Sequence, residues 1–75
     1  MKSYEKHLEE LSYEIADDIV KNEIHPKWEI TLDQTSVAKS LCTIYDKGFK
    51  KVSEDLEISV RKNIHRIKNK REKDN

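Results

Sequence analysis

The sequence predicts an all-α protein, a helical hairpin or small bundle of two to four helices, and three observations carry that expectation. One Gly and one Pro among 75 residues leave little material for hairpin turns or glycine-rich loops. Apolar residues recur at steps of three and four along most of the chain, the period of a helix face and not that of a strand. Charged side chains make up 40% of the residues and fall mainly between those apolar positions, where a helix presents them to water.

A chain this short is read as one domain over 1–75, and it buries only about 60% of the surface its unfolded form exposes. It is therefore expected to fold alone, as a homodimer or on a partner. Leu, Ile, Val and Phe are 18 of the 75 residues and the formal net charge is zero, which places the chain above the roughly 20% apolar line below which disorder is expected.

The first helix is expected over about residues 3 to 22. Tyr4, Leu8, Leu11, Ile15 and Ile19 form its apolar stripe, while Glu5, Glu9, Glu14, Asp17, Asp18 and Lys21 lie opposite. Glu5, Glu9 and Glu10 fall in the early turns, where the helix dipole favours negative charge. Pro26 forbids helix through residue 25, so an extended crossover is expected at 23–32. Within it Trp28, Ile30 and Leu32 alternate with Lys27, Glu29 and Thr31, which lays three apolar residues over the helices.

Asp33 reads as the N-cap of a second helix over about 34–56, with Leu32 and Val37 as a hydrophobic staple. Val37, Leu41, Ile44, Tyr45, Phe49, Val52 and Leu56 continue one stripe, interrupted by Gly48. Two architectures follow. Either a single helix runs through Gly48 and pairs with the first as a hairpin or dimeric bundle, or Gly48 ends a helix and a short helix spans 50–56. In the second case Glu57-Ile58 turns and Ser59 caps a final helix ending near 72. The tail 70–75 is expected to fray.

Charge is divided unevenly. Residues 1–35 hold nine acidic and four basic side chains, minus five; residues 36–75 hold six acidic and eleven basic, plus five. The positive charge is concentrated in Arg61, Lys62, Arg66, Lys68, Lys70, Arg71 and Lys73.

Nothing in the sequence assembles catalytic chemistry. His7, His25, His65 and Cys42 lack neighbouring partners that would make an acid, base or nucleophile of them, and His7 is expected to be a solvated surface residue. One cysteine makes no internal disulfide. No metal-ligand spacing and no phosphate-cradling loop occurs, so neither metal nor cofactor is expected. No apolar run approaches the roughly 18 residues of a membrane span, and Met1–Glu5 lacks a signal-peptide core. A cytoplasmic location follows as the expectation.

Two resemblances sharpen the functional reading. Residues 48–67, through Val52, Leu56, Ile58, Ser59 and Ile67, resemble the helix-turn-helix of bacterial regulators and of sigma-factor C-terminal regions. They depart at Glu57, where Gly is usual, and at Asn63, where an apolar residue is usual. That resemblance implies duplex DNA binding by Arg61, Lys62, Asn63, His65, Arg66 and Lys68. The whole layout, a charged first helix, a Trp-containing crossover and a helix with Ile44-Tyr45-Asp46-Lys47, resembles small regulatory and inhibitor proteins of Gram-positive phages and prophages. It implies stoichiometric binding to a protein or nucleoprotein, for example a host factor or a defence-system nuclease. The residue types favour Glu10, Tyr13, Glu14, Asp17, Asp18 and Trp28 as that contact surface, since Tyr and Trp are enriched at interface hot spots. A non-enzymatic binding protein is the leading expectation, and a helix-turn-helix DNA binder the alternative.

Overall fold

Ser3 opens the first helix. Its backbone is extended (φ −64°, ψ 159°) and its hydroxyl accepts from the Lys6 amide at 3.2 Å, satisfying one of the donors a helix start leaves free. The computed structural model describes residues 2–22 and 32–74, and these form three helices: α1 (Tyr4–Lys21), α2 (Leu32–Tyr45) and α3 (Phe49–Asp74). Asn22 closes α1. Its amide N–H reaches Asp18 O at 3.0 Å, and its side-chain Nδ2 donates to Asp18 O and Oδ1 at 2.9 Å each.

The helix α2 begins at Leu32, so Asp33 lies inside its first turn and is not the cap before it. Apart from Leu32, the expected crossover at 23–32, including Trp28 and His25, lies outside the described residues. At its other end α2 stops at Tyr45 with a left-handed residue, Asp46 (φ 52°), and the Lys47 amide donates to Cys42 O at 3.1 Å. This is a Schellman closure, in which the residue after the cap takes the left-handed conformation and the next amide reaches back five residues. Gly48, expected to end or interrupt the helix, has an ordinary φ and instead precedes α3, its carbonyl accepting from Val52 N at 3.0 Å.

Both expected architectures need correction. A single helix through Gly48 is broken at 46–48, and the turn at Glu57-Ile58 is absent because α3 runs unbroken for 26 residues, about 39 Å at 1.5 Å per residue. Glu57 pairs with Arg61 across one helical turn at 3.0 Å, a contact that needs a continuous helix. Ser59 caps nothing: it is 8% exposed and faces α1. The helix also takes in the tail expected to fray, through Asp74. Lys and Arg are good helix formers, and Arg71 and Lys73 complement the negative end of the dipole.

Contacts fix the directions of the helices. Tyr4 meets Asp55, and Ser12 meets Ser59 and Asn63, so residue numbers rise together along α1 and α3 and the two run parallel. Tyr45, at the end of α2, donates to Lys2 O at 2.8 Å; α2 is antiparallel to both. The core comprises Tyr4, Ala16, Ile19, Ala38, Leu41, Val52, Leu56, Val60 and Ile67, with Leu8, Leu11 and Ile15 packed around it. Relative to the expected stripe, α1 is rotated so that Ser12 and Ala16, both fully buried, face inward.

Those small residues admit α3 closely, and a polar layer fills the contact. The Ser12 hydroxyl donates to Glu9 O at 2.9 Å, which leaves Ser59 as the donor in the 2.6 Å Ser12–Ser59 contact. Asn63 Nδ2 also donates to Ser12 Oγ, at 3.0 Å, while Asn63 Oδ1 is buried without a partner among the described residues.

Two outcomes are expected in urea unfolding. Ser12→Leu, which fills the space α3 occupies and removes the shared acceptor, should destabilise the protein by about 1–3 kcal/mol. Asp46→Gly should stabilise it by about 0.5–1 kcal/mol by relieving the left-handed residue; an unchanged midpoint would contradict the Schellman closure.

Candidate protein-binding surface

With Ser12, Ala16 and Ile19 turned to the core, helical geometry places Glu10, Tyr13, Glu14 and Asp17 on the outer side of α1. Their spacing of three, four and seven residues forms one row. Tyr13 is 44% exposed in the middle of this row, while Glu14 and Asp17 are exposed and Glu10 is half-exposed. Glu10 pairs with Lys2, and both the hydrogen bond and the charge of that lysine lower the Glu10 pKa from its ordinary value. Asp18 stands one step round the helix and accepts from Asn22. Five of the six residues expected to form a protein-binding surface are thus brought together on one side of α1. The sixth, Trp28, lies outside the described residues.

The residues expected to read DNA fare differently. Asn63 is fully buried and bonded to Ser12, because α1 covers that side of α3. Arg61 is paired with Glu57 at 3.0 Å, and Arg66 reaches across to Glu9 at 2.7 Å. Lys62, His65 and Lys68 are exposed and form no ion pair among the described residues. The set is split between core, intramolecular pairs and open surface.

Where α1 meets the start of α3, Tyr4, Leu8, Glu9, Ile58 and Lys62 line a groove. Ile58 is 57% exposed there, more than any other large apolar residue described. Glu9 borders both this groove and the depression around Glu10, Tyr13 and Glu14, so the two form one continuous face spanning α1 and α3.

At the closed end, Tyr4 donates to Asp55 Oδ2 at 2.8 Å, and Lys51 sits 3.4 Å from the same carboxylate oxygen. The Tyr4 ring packs edge-on to Tyr45, centroids 5.5 Å apart, and Lys47 Nζ lies over the Tyr4 ring, 4.7 Å from its centroid. His7 is drawn in against Tyr45 and is not the solvated residue expected: the Tyr45 hydroxyl, having given its proton to Lys2 O, accepts from His7 Nδ1 at 3.1 Å. Cys42 is partly buried against the core. Among the described residues no three His, Cys, Asp or Glu side chains are grouped to hold a metal ion, and no helix is long and apolar enough to cross a membrane. Comparison with known protein families, with curated proteins and with solved structures finds no match to this chain.

The polar layer at Ser12, Ser59 and Asn63 escapes a reading based on apolar periodicity alone. Its signal was present in two pairs four residues apart, Ser12 with Ala16 and Ser59 with Asn63, which place small and polar residues on facing helix sides.

Burial, the hydrogen bond to Asp55 and that carboxylate's charge all raise the Tyr4 phenol pKa above its ordinary value. A raised folded-state pKa contributes stability that is complete below the unfolded value, near pH 10 for tyrosine, and is lost as pH rises beyond it. Stability should therefore fall above about pH 10, with Tyr4 contributing at most about 1.4 kcal/mol per pH unit. Tyr4→Phe should cost about 0.5–1.5 kcal/mol near neutrality and flatten the alkaline slope, as followed by urea unfolding across pH. An unchanged slope would remove Tyr4 as its source.

Proposed function

We propose that this chain is a non-enzymatic helical binding protein that regulates or inhibits a macromolecular partner by stoichiometric association, using the outer face of α1. The observation that carries the reading is an aromatic residue held open to water at the centre of an acidic row: Tyr13, 44% exposed, between Glu10, Glu14 and Asp17. Tyrosine joins a rigid apolar ring to a polar tip and is over-represented where proteins meet. Acidic side chains around it give such a contact specificity and a fast approach to a basic surface.

The partner that fits is a protein or nucleoprotein with a basic, partly apolar cleft. The likeness in layout to phage-encoded regulators supports the same reading, with a host or defence-system nucleoprotein as the kind of target. The alternative of a helix-turn-helix DNA binder receives no comparable support. Its turn falls within α3, and Asn63 is buried against Ser12 and faces no solvent.

The test is retention of partner from bacterial extract on immobilised protein, comparing the wild type with Glu10→Lys, Glu14→Lys, Asp17→Lys and Asp18→Lys combined. Like charges across an interface cost several kcal/mol, so a stoichiometric band should fall at least about tenfold while circular dichroism stays helical. Equal retention by a folded variant would contradict the proposal.

A further inference from the structure

The face shared by α1 and α3 carries two opposite ridges side by side. On α1 the exposed Tyr13 stands between Glu10 and Asp17. On α3 the exposed Ile58 stands one turn from Lys62, with Arg66 a further turn along. Each ridge carries one uncovered apolar side chain, 44% exposed for Tyr13 and 57% for Ile58; Asp17 and Lys62 form no ion pair among the described residues, while Glu10 is paired with Lys2 and Arg66 with Glu9 within the chain. Because the helices are parallel and Ser12 stands level with Ser59 and Asn63, Glu10 to Asp17 and Lys62 to Arg66 lie at similar heights along the bundle.

From this geometry we infer that the face is a self-complementary surface whose occupant is a second copy of this chain. A two-fold axis parallel to the helices places α1 of each copy against α3 of the other, acidic ridge on basic ridge, in two equivalent contacts. No shift along the axis is needed to match them, because the ridges are already level. A two-fold partner engages both signs at once, at equal height. A face two helices wide and as long as α1 is about 27 Å by 20 Å, about 540 Å² in flat outline, about two-thirds of the roughly 800 Å² per partner that a standard interface takes.

The inference rests on the reading of the outer side of α1 as a protein-binding surface and names one occupant of it. A foreign partner on the same surface would compete with self-association, which makes the monomer the form that binds it.

The test uses the purified full chain, with no extract, in sedimentation equilibrium over a wide concentration range. The wild type should pass from 8.9 kDa to twice that mass, with the dimer weakened by added salt. Glu10→Lys with Asp17→Lys should be monomeric, since its ridges are both basic, and Lys62→Glu with Arg66→Glu should be monomeric with both ridges acidic. Mixed in equal amounts, the two variants should restore the dimer, because both contacts then join opposite charges. Circular dichroism checks that each variant stays helical. A wild type that stays monomeric, folded variants that dimerise as the wild type does, or a mixture that stays monomeric would each overturn the inference. The extract experiment is separate: retention of a foreign partner by a purely monomeric protein would leave the proposed function standing and remove only the second copy.

Discussion

Close approach of α1 and α3 at Ser12 is the constraint on which the rest of the molecule depends. A serine and an alanine at the centre of a helix face bring little apolar area, so they stabilise the fold only by letting the facing helix come near enough for its own side chains to be enclosed. Val52, Leu56, Val60 and Asn63 of α3 are each at most 1% exposed. At this distance the polar groups must pair. One hydroxyl, Ser12, receives two donors and passes its proton to the Glu9 carbonyl.

Such a layer does more for uniqueness than for stability. Asn63 Oδ1 is left without a partner among the described residues, which costs about 1–3 kcal/mol in a buried site. Sliding α3 by one turn would leave at most one of Ser59 and Asn63 beside Ser12 and strand the other without its partner, so alternatives to the observed register lose a buried hydrogen bond. Register in turn decides what the surface looks like. Arg66 reaches Glu9, Tyr4 reaches Asp55, and the acidic row of α1 comes to lie beside and level with the cations of α3.

Part of this was legible in the sequence. The helical period of Leu8, Leu11, Ile15 and Ile19 located α1, and the outward positions of Glu10, Tyr13, Glu14 and Asp17 follow from that period directly. The break between α2 and α3 was also legible, but through the wrong residue. Gly48 drew attention as the natural helix terminator, whereas Asp46 adopts the left-handed conformation two residues earlier, one of the few non-glycine types that tolerates it. The turn expected at Glu57-Ile58 rests on a short pattern in which Ser59 takes the cap position. Local sequence cannot show whether a serine hydroxyl bonds a nearby amide or a distant side chain, and here Ser12, 47 positions away, captures it. Parallel packing of α1 with α3 was hidden for the same reason, since it is fixed by contacts between residues about fifty positions apart.

The functional reading inherits this dependence. If α3 ran antiparallel to α1, or broke at residue 57, Tyr13 and Ile58 would not share a face and the opposite ridges would not be level. Interhelix nuclear Overhauser effects on isotopically labelled protein decide the matter. The parallel arrangement requires contacts from the Tyr4 ring to Asp55 and from the Ser12 protons to Ser59 and Asn63, with sequential helical contacts unbroken from 55 to 61. Contacts from Tyr4 to residues near Ile67, or a gap in the helical contacts at Glu57 to Ser59, would contradict both the fold and the surface built on it.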